Sequence, residues 1–239
     1  MYTQILTPRQ SAVVTVPQLC NFARIDCPEQ YVTGSSPQTL TDDWMMFQLF
    51  IDAATDTVES IAAQACLNEQ ILLTLDYFPG QQDPRNYLYS ELNYAFTATP
   101  WWWYGYPVKD SIELVRRPVL APGGSPLTNA VTVTYNDAWG NPQTLDPSTY
   151  TVFADKITLN VGYQWPITDR LQDSIQITYW AGYSATDPTK VPPALTMAIL
   201  FLAAHYVDNR NIVAIEQTSE VAFTLNRILQ PYKSYRVPR

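Results

Sequence analysis

The segment that most constrains the fold is LTDDWMMFQLFIDAATDTVESIAAQACL, in which apolar residues recur every three or four positions. This spacing places them on one face of a helix. Thr41 suits the N-cap, and Asp42 and Asp43 suit the positive end of the helix dipole. The segment predicts a helix from Thr41 to about Leu67, roughly 40 Å long. Its solvated face is predicted to carry Gln48, Asp52, Thr55, Asp56, Glu59 and Ser60.

After Glu69 the apolar residues recur at every second position, which is typical of strands. The predicted strands begin with QILLTLDYF and continue between Ser111 and Trp180 as SIELVRRPVL, AVTVTY, YTVFA, KITLN and SIQITYW. Turn-forming Gly, Pro, Asn and Asp residues separate these runs. This arrangement favours antiparallel hairpins.

Helical spacing returns at Ala194–Asp208, which is apolar almost all round and therefore predicts a helix at the centre of the fold. Shorter helices are predicted near Pro17 and from Glu220 to Gln230. The order predicts an α+β fold whose core is a helical bundle, formed by the long N-terminal helix and the C-terminal helices, with a β-rich antiparallel insertion. We expect a single domain over 1–239, with a helical core of 1–68 and 190–239, an insertion of 69–189 and an aromatic loop at 84–107.

The composition points to a protein whose surface is covered by partners. Charged residues make up only 15% of the chain, and 22 Asp and Glu stand against 14 Lys and Arg. So few charged residues cannot cover most of the surface of a monomer. The net charge of −8 argues against a protein that grips nucleic acid through its phosphates. The longest apolar run is shorter than the roughly 18 residues of a membrane span, so we expect no membrane-spanning helix. MYTQILTPRQ does not resemble a secretory signal, so we expect no signal peptide.

The residue types that carry chemistry are sparse. His205 lies within an apolar helical segment, where a structural histidine is the better interpretation. Cys20, Cys27 and Cys66 do not have the spacing of a zinc site. We therefore predict no catalytic residues, no cofactor and no metal. A hydrolase whose two acids are far apart in the chain stays open as an alternative.

The stretch ATPWWWYGYPVKD concentrates aromatic residues between Ala98 and Asp110. Three adjacent tryptophans cannot all face one side of a helix or strand, so at least one should meet solvent or a partner. The segment could fold onto its own domain, form an interface, or offer a stacking platform for carbohydrate or single-stranded nucleic acid. Only Arg85 and Lys109 flank it, too few for a groove that follows a nucleic-acid backbone. The predicted interface residues are Trp101, Trp102, Trp103, Tyr104 and Tyr106.

The stretch RILQPYKSYRVPR, from Arg227 to Arg239, contains four basic residues and no acidic one in an otherwise acidic chain. One interpretation is a solvated tail. The other is an arm that becomes ordered in an acidic or polar cleft of a partner, with Tyr232 and Tyr235 as anchors.

Several motifs occur in an order that resembles one known family. They are DDWMMFQLFIDAATDTVESIAAQACLNEQILLTLDYFP, IELVRRPVL, VTVTYNDAWGNPQTLDPSTYTV, ITLNVGYQWP, SIQITYWAGYSATDPTKVPPALTMAILFLAAHYVDNR and ILQPYKSYR. Together they make the chain similar to the head-to-tail connector, or adaptor, proteins of tailed bacteriophages and related gene-transfer particles. The segment between Pro84 and Pro107 departs from the family, in which this loop is short.

The resemblance implies a structural virion protein with no enzymatic activity. It implies a homo-oligomeric ring of about twelve subunits beneath the portal, joining the DNA-filled head to the tail and lining the DNA exit channel. The implied partners are the portal protein, tail or neck proteins, sibling copies, and passing double-stranded DNA bound without sequence specificity. The implied place is the virion neck, after assembly in the host cytoplasm. The residues assigned to portal docking are Tyr232, Lys233, Tyr235, Arg236 and Arg239. A carbohydrate-binding module that uses the aromatic segment is the alternative.

Overall fold

The computed structural model describes residues 2–31, 40–79, 111–121, 130–169, 171–209 and 224–232. The chain divides into two compact units, one of residues 1–7 and 70–180 and one of residues 8–69 and 181–239. The helices in the described ranges are α1 (Val16–Ala23), α2 (Asp42–Ala62), α3 (Pro193–Asp208) and a short helix over 224–229. The strands are β1 (Tyr2–Thr7), β2 (Glu69–Leu75), β3 (Ser111–Glu113), β4 (Val131–Asn136), β5 (Pro142–Thr144), β6 (Tyr150–Val152), β7 (Lys156–Leu159) and β8 (Ile175–Ala181).

The first unit is built from two sheets with the strand orders β1-β2-β8-β4-β5 and β3-β7-β6. Alternate residues of β8 are buried, as the period of two predicts. Val133 of β4 lies opposite Ile177 of β8, and both are fully buried. The Tyr150 hydroxyl of β6 donates to the Val131 carbonyl of β4 at 3.1 Å, which links the two sheets.

The second unit packs α1, α2 and α3 around a core of apolar side chains that includes Leu19, Ile51 and Ile199. The N-cap prediction at Thr41 is confirmed, because its hydroxyl accepts a hydrogen bond from the Trp44 amide at 3.2 Å. The helix ends earlier than predicted. Ala63 adopts the left-handed conformation, with φ of 53°, and its amide closes on the Glu59 carbonyl.

The predicted fold class, a helical bundle core with a β-rich insertion, is wrong. The protein is mixed α+β, and eight strands in the described ranges form two antiparallel sheets. The physical reason is that the strands bury alternate side chains against one another, so they form a compact unit with a core of its own. β1, which the sequence analysis missed, belongs to this unit and pairs with β2. That the whole of 1–239 acts as a single domain stays a prediction.

Gly182 is required where the chain leaves β8. Its φ is +139°, and a Cβ there would lie 2.6 Å from both the carbon and the oxygen of the Leu67 carbonyl group. The segment is held in place because the Tyr183 amide donates to the Cys66 carbonyl at 3.2 Å. Neither backbone can move away without breaking that hydrogen bond.

We expect Gly182→Ala to lower the free energy of unfolding by about 3 kcal/mol or more, through backbone strain and overlap with Leu67. Urea unfolding followed by circular dichroism measures the loss. Gly162→Ala is the matched control, because Gly162 also has a positive φ, of +90°, but faces open space. Its expected loss is about 1 kcal/mol. Equal losses in the two variants would contradict the account of Gly182.

Candidate assembly surfaces

Of the residues assigned to portal docking, the structure describes Tyr232 alone. Leu225 and Leu229, which precede it, are buried in the core of the helical unit, and Tyr232 packs against that core. The Gln64 side-chain amide donates to the Tyr232 carbonyl at 3.0 Å and accepts from the Tyr183 hydroxyl at 2.5 Å. Residues 224–232 are therefore held against the helical core, directly before Lys233. Lys233, Tyr235, Arg236 and Arg239 lie outside the described residues.

The predicted interface residues also lie outside the described part of the chain. They are Trp101, Trp102, Trp103, Tyr104 and Tyr106. Their assignment stays a prediction.

Trp139 is an exposed aromatic residue that the sequence analysis did not single out as a site. It is 87% exposed, at the tip of the turn between β4 and β5. The Asp137 carboxylate accepts hydrogen bonds from the amides of Trp139 and Asn141, both at 2.9 Å, and the Gly140 amide donates to the Asp137 carbonyl at 2.9 Å. The hydrogen bonds from Asn141 and Trp139 lower the pKa of Asp137. These hydrogen bonds hold the backbone of the turn, and the indole that it carries is exposed.

The neighbouring loop adds two more exposed apolar side chains, Ile167 and Leu171. Thr168 forms an isolated antiparallel bridge with Asp137, and the Asp169 amide donates to the Asn136 carbonyl at 3.3 Å. These contacts bring the loop to the same end of the sheet as the Trp139 turn. An apolar patch of this kind on a chain with few charges is typical of a surface that a partner covers.

An ionic cluster around Arg9 is the feature that the sequence analysis missed. The guanidinium lies 2.7 Å from the Asp56 carboxylate, 3.4 Å from that of Glu59, 3.5 Å from that of Asp52 and 3.8 Å from that of Glu69. The Arg9 side chain is only 12% exposed, and the Glu59 side chain is fully buried. Burial opposes the positive charge, but the hydrogen bond to Asp56 and the neighbouring carboxylates outweigh it and raise the pKa of Arg9.

The cluster corrects the predicted solvated face of α2, because Thr55 and Glu59 are buried. Glu59 also accepts a hydrogen bond from the Cys66 amide at 2.8 Å, so it connects α2 to the chain that follows it. Burial, and then the charge of Glu59, raise the pKa of the Cys66 thiol. Helical spacing had placed Glu59 on the solvated face of α2, and the structure shows it buried. No local signal pairs it with Arg9, which lies 50 positions earlier.

The single histidine of the chain, His205, has a structural contact. The His205 Nδ1 atom lies 3.1 Å from the side-chain amide of Asn209, which also donates to the His205 carbonyl at the end of α3. Within the described ranges, no group of three or more His, Cys, Asp or Glu side chains is arranged to hold a metal ion. No described helix combines the length and apolar character that crossing a bilayer requires.

Comparison with known proteins identifies the fold through solved structures. No protein-family model matches the chain, and no curated protein sequence matches it. A chain in the virion of a native gene transfer agent particle matches with a TM-score of 0.63 and 15% sequence identity, over 99% of this chain and 97% of that one. This chain shares its fold.

Two further matches come from the necks of such particles. A chain in the neck of an empty gene transfer agent particle, computed with C6 symmetry, has a TM-score of 0.62 and 15% identity. A chain in the neck of a native particle, computed with C12 symmetry, has a TM-score of 0.57 and 17% identity. Each comparison covers 99% of this chain and 97% of the other. The likeness therefore extends over both units of the chain.

Proposed function

We propose that this chain is a non-enzymatic structural protein of the neck of a tailed phage or gene-transfer particle. Copies form a ring beneath the portal, join the DNA-filled head to the tail and line the DNA exit channel. The observation that carries the proposal is the shared fold, which extends over nearly the whole length of chains from gene transfer agent virions and necks. In this role residues 1–239 act as one connector domain, which is assembled into the virion in the host cytoplasm.

The proposed ring is cyclic and contains about twelve copies, each of which contacts its neighbours through two different surfaces. The C6 and C12 symmetries of the similar neck structures support this arrangement. The net charge of −8 supports a channel that double-stranded DNA passes without being retained. The low content of charged residues also supports a ring, because neighbouring copies would cover much of the surface of each copy.

Within this proposal, the arm of Tyr232, Lys233, Tyr235, Arg236 and Arg239 docks into the portal. The described residues support it through the anchoring of Tyr232 by Gln64, which gives the arm a fixed starting point. We propose that Trp101, Trp102, Trp103, Tyr104 and Tyr106 contact a neighbouring copy or a tail component. The carbohydrate-binding alternative depends on the same aromatic residues. No observation on the residues that the structure describes supports it further.

In vitro complementation tests the proposed function. Particles assembled without this protein should yield DNA-filled heads and free tails that do not join. Adding the purified protein should restore joined, infectious particles, because it supplies the missing surface between portal and tail. A tail-joining defect that the purified protein fails to repair, or full infectivity in its absence, would contradict the neck role.

A further inference from the structure

α3 was predicted to lie at the centre of the fold, but one of its faces is exposed. Met197 and Phe201 are 43% and 42% exposed and lie one turn apart on the same side of the helix. Beside them is a groove of about 320 Å³, lined by Val13, Val191 and Leu200 among others. A helix that is apolar all round is normally covered on every side. Within the described part of the chain, the exposed side of α3, which we call the α3 face, is covered only in part, by the Phe22 ring that packs edge-on against Phe201.

The first turns of α2 present a second exposed apolar face. Met45 and Met46 are each 46% exposed, and Leu49 is 60% exposed. At 100° per residue the three side chains point to one side of the helix, away from the buried Ile51. We call this the α2 face. It protrudes from one side of the helix, whereas the α3 face borders a groove.

The two faces share an unusual residue type. The chain contains four methionines, and the three that follow Met1 all lie on these faces. Methionine is flexible and polarizable, so it fits irregular apolar surfaces that form by association. Exposure of every internal methionine on the same helical unit favours docking surfaces over incidental exposure.

The charges beside the two faces differ. Asp42 and Asp43 are exposed at the start of α2, beside Met45 and Met46. Lys190 is exposed at the end of the 3₁₀ helix Pro188–Lys190, whose first two residues help to line the groove beside α3. Asp187 caps the same helix and partly offsets the charge of Lys190, whereas two acids border the α2 face. Opposite charges bordering two apolar faces steer one face onto the other and fix its orientation.

We propose that the α2 face of one copy docks onto the α3 face and groove of the next copy, with Asp42 and Asp43 close to Lys190. The partner is a second copy of this chain because a single helical unit carries both an acid-bordered apolar face and a matching face bordered by a lysine. Since the two faces differ, the contact is head-to-tail and can close into a ring. The inference rests on the proposed function, for which it names the contact between neighbouring copies.

A mixing experiment tests the contact. One variant carries Met46→Glu and Leu49→Glu on the α2 face, and the other carries Met197→Glu on the α3 face. Each substituted residue is exposed, so both variants should keep the melting midpoint of the wild type. Alone, each variant should show a dissociation constant for self-association raised at least about 100-fold in analytical ultracentrifugation. Mixed together, they should form one-to-one heterodimers and nothing larger, because only one intact pair of faces remains.

Charge reversal provides an independent arm of the test. Asp42→Lys with Asp43→Lys, or Lys190→Glu, should each weaken self-association about tenfold, and combining all three in one chain should restore it. Val161→Glu is the control, because Val161 is an exposed apolar residue that lies in the other unit and belongs to neither face. Its self-association should match that of the wild type.

Three results would overturn the proposal: a wild-type chain that stays monomeric, face variants that associate like the wild type, or a mixture that forms no heterodimer. These outcomes are distinguishable from a failure of the neck role. A monomeric wild type that still restores tail joining would refute this contact and leave the neck role standing. A chain that associates through these faces but fails to restore joining would support this contact and refute the neck role.

Discussion

Arg9→Ala should lower the free energy of unfolding by about 3–5 kcal/mol, because it removes the guanidinium that lies beside the buried carboxylates of Glu59 and Glu69. For a chain of this length the expected fall in melting temperature is about 6–20 °C. Thermal and urea unfolding followed by circular dichroism measure both quantities. The effect is large because the guanidinium is nearly buried and lies close to four carboxylates at once.

Two further variants control this prediction. Asp56→Asn removes the nearest carboxylate, but Asp56 is 69% exposed, so the loss should stay below about 1 kcal/mol. Adding Glu59→Gln to Arg9→Ala removes one of the two buried negative charges, and should recover at least about 1 kcal/mol. An Arg9→Ala protein that unfolds within about 1 kcal/mol of the wild type would show that the cluster does not stabilise the fold.

Deleting residues 233–239 should leave a folded protein that no longer joins heads to tails. The fold should survive because Leu225, Leu229 and Tyr232 make the last described contacts with the helical core. Infectious titre in the complementation assay should fall at least about 100-fold, since the deletion removes several charged and aromatic anchors together. The measurement is the titre of complemented particles at matched protein concentration.

A full-length arm with Lys233→Gln, Arg236→Gln and Arg239→Gln separates charge from length in that experiment. If the positive charges carry the docking, this variant should lose most of the activity that the truncation loses. The truncated protein should also unfold at the wild-type midpoint. Normal titre from the truncated protein would contradict the assignment of the arm to the portal.

Local signals in the sequence predicted most of the individual elements. Thr41 marked the start of α2, the helical spacing from Ala194 to Asp208 located α3, and period-two runs located the main strands. Their assembly could not be predicted in the same way, because it depends on contacts between distant residues. β8 lies between β2 and β4 in the sheet, although other strands separate it from both of them in the sequence. That pairing is why a compact β unit was mistaken for an insertion into a helical core.

The candidate surfaces were harder to predict than the elements. The sequence of α3 is apolar all round, and this pattern does not show whether its own chain or a second copy covers each side. Met197 and Phe201 were therefore expected in the core, but both are exposed. Glu59 read as solvated because its partner Arg9 is distant in the sequence. Trp139 was not predicted as a surface residue of interest because it lies in a turn, whose conformation depends on local hydrogen bonds. No periodic pattern in the sequence marks such a residue.

Cryo-electron microscopy of intact particles tests the central claim most directly. The neck role predicts a ring of about twelve copies between portal and tail, with the fold of this chain fitting each repeat of the density. The arm of each copy should extend from the Tyr232 end towards the portal. Density for this fold elsewhere in the particle, or a neck from which this chain is absent, would contradict the account.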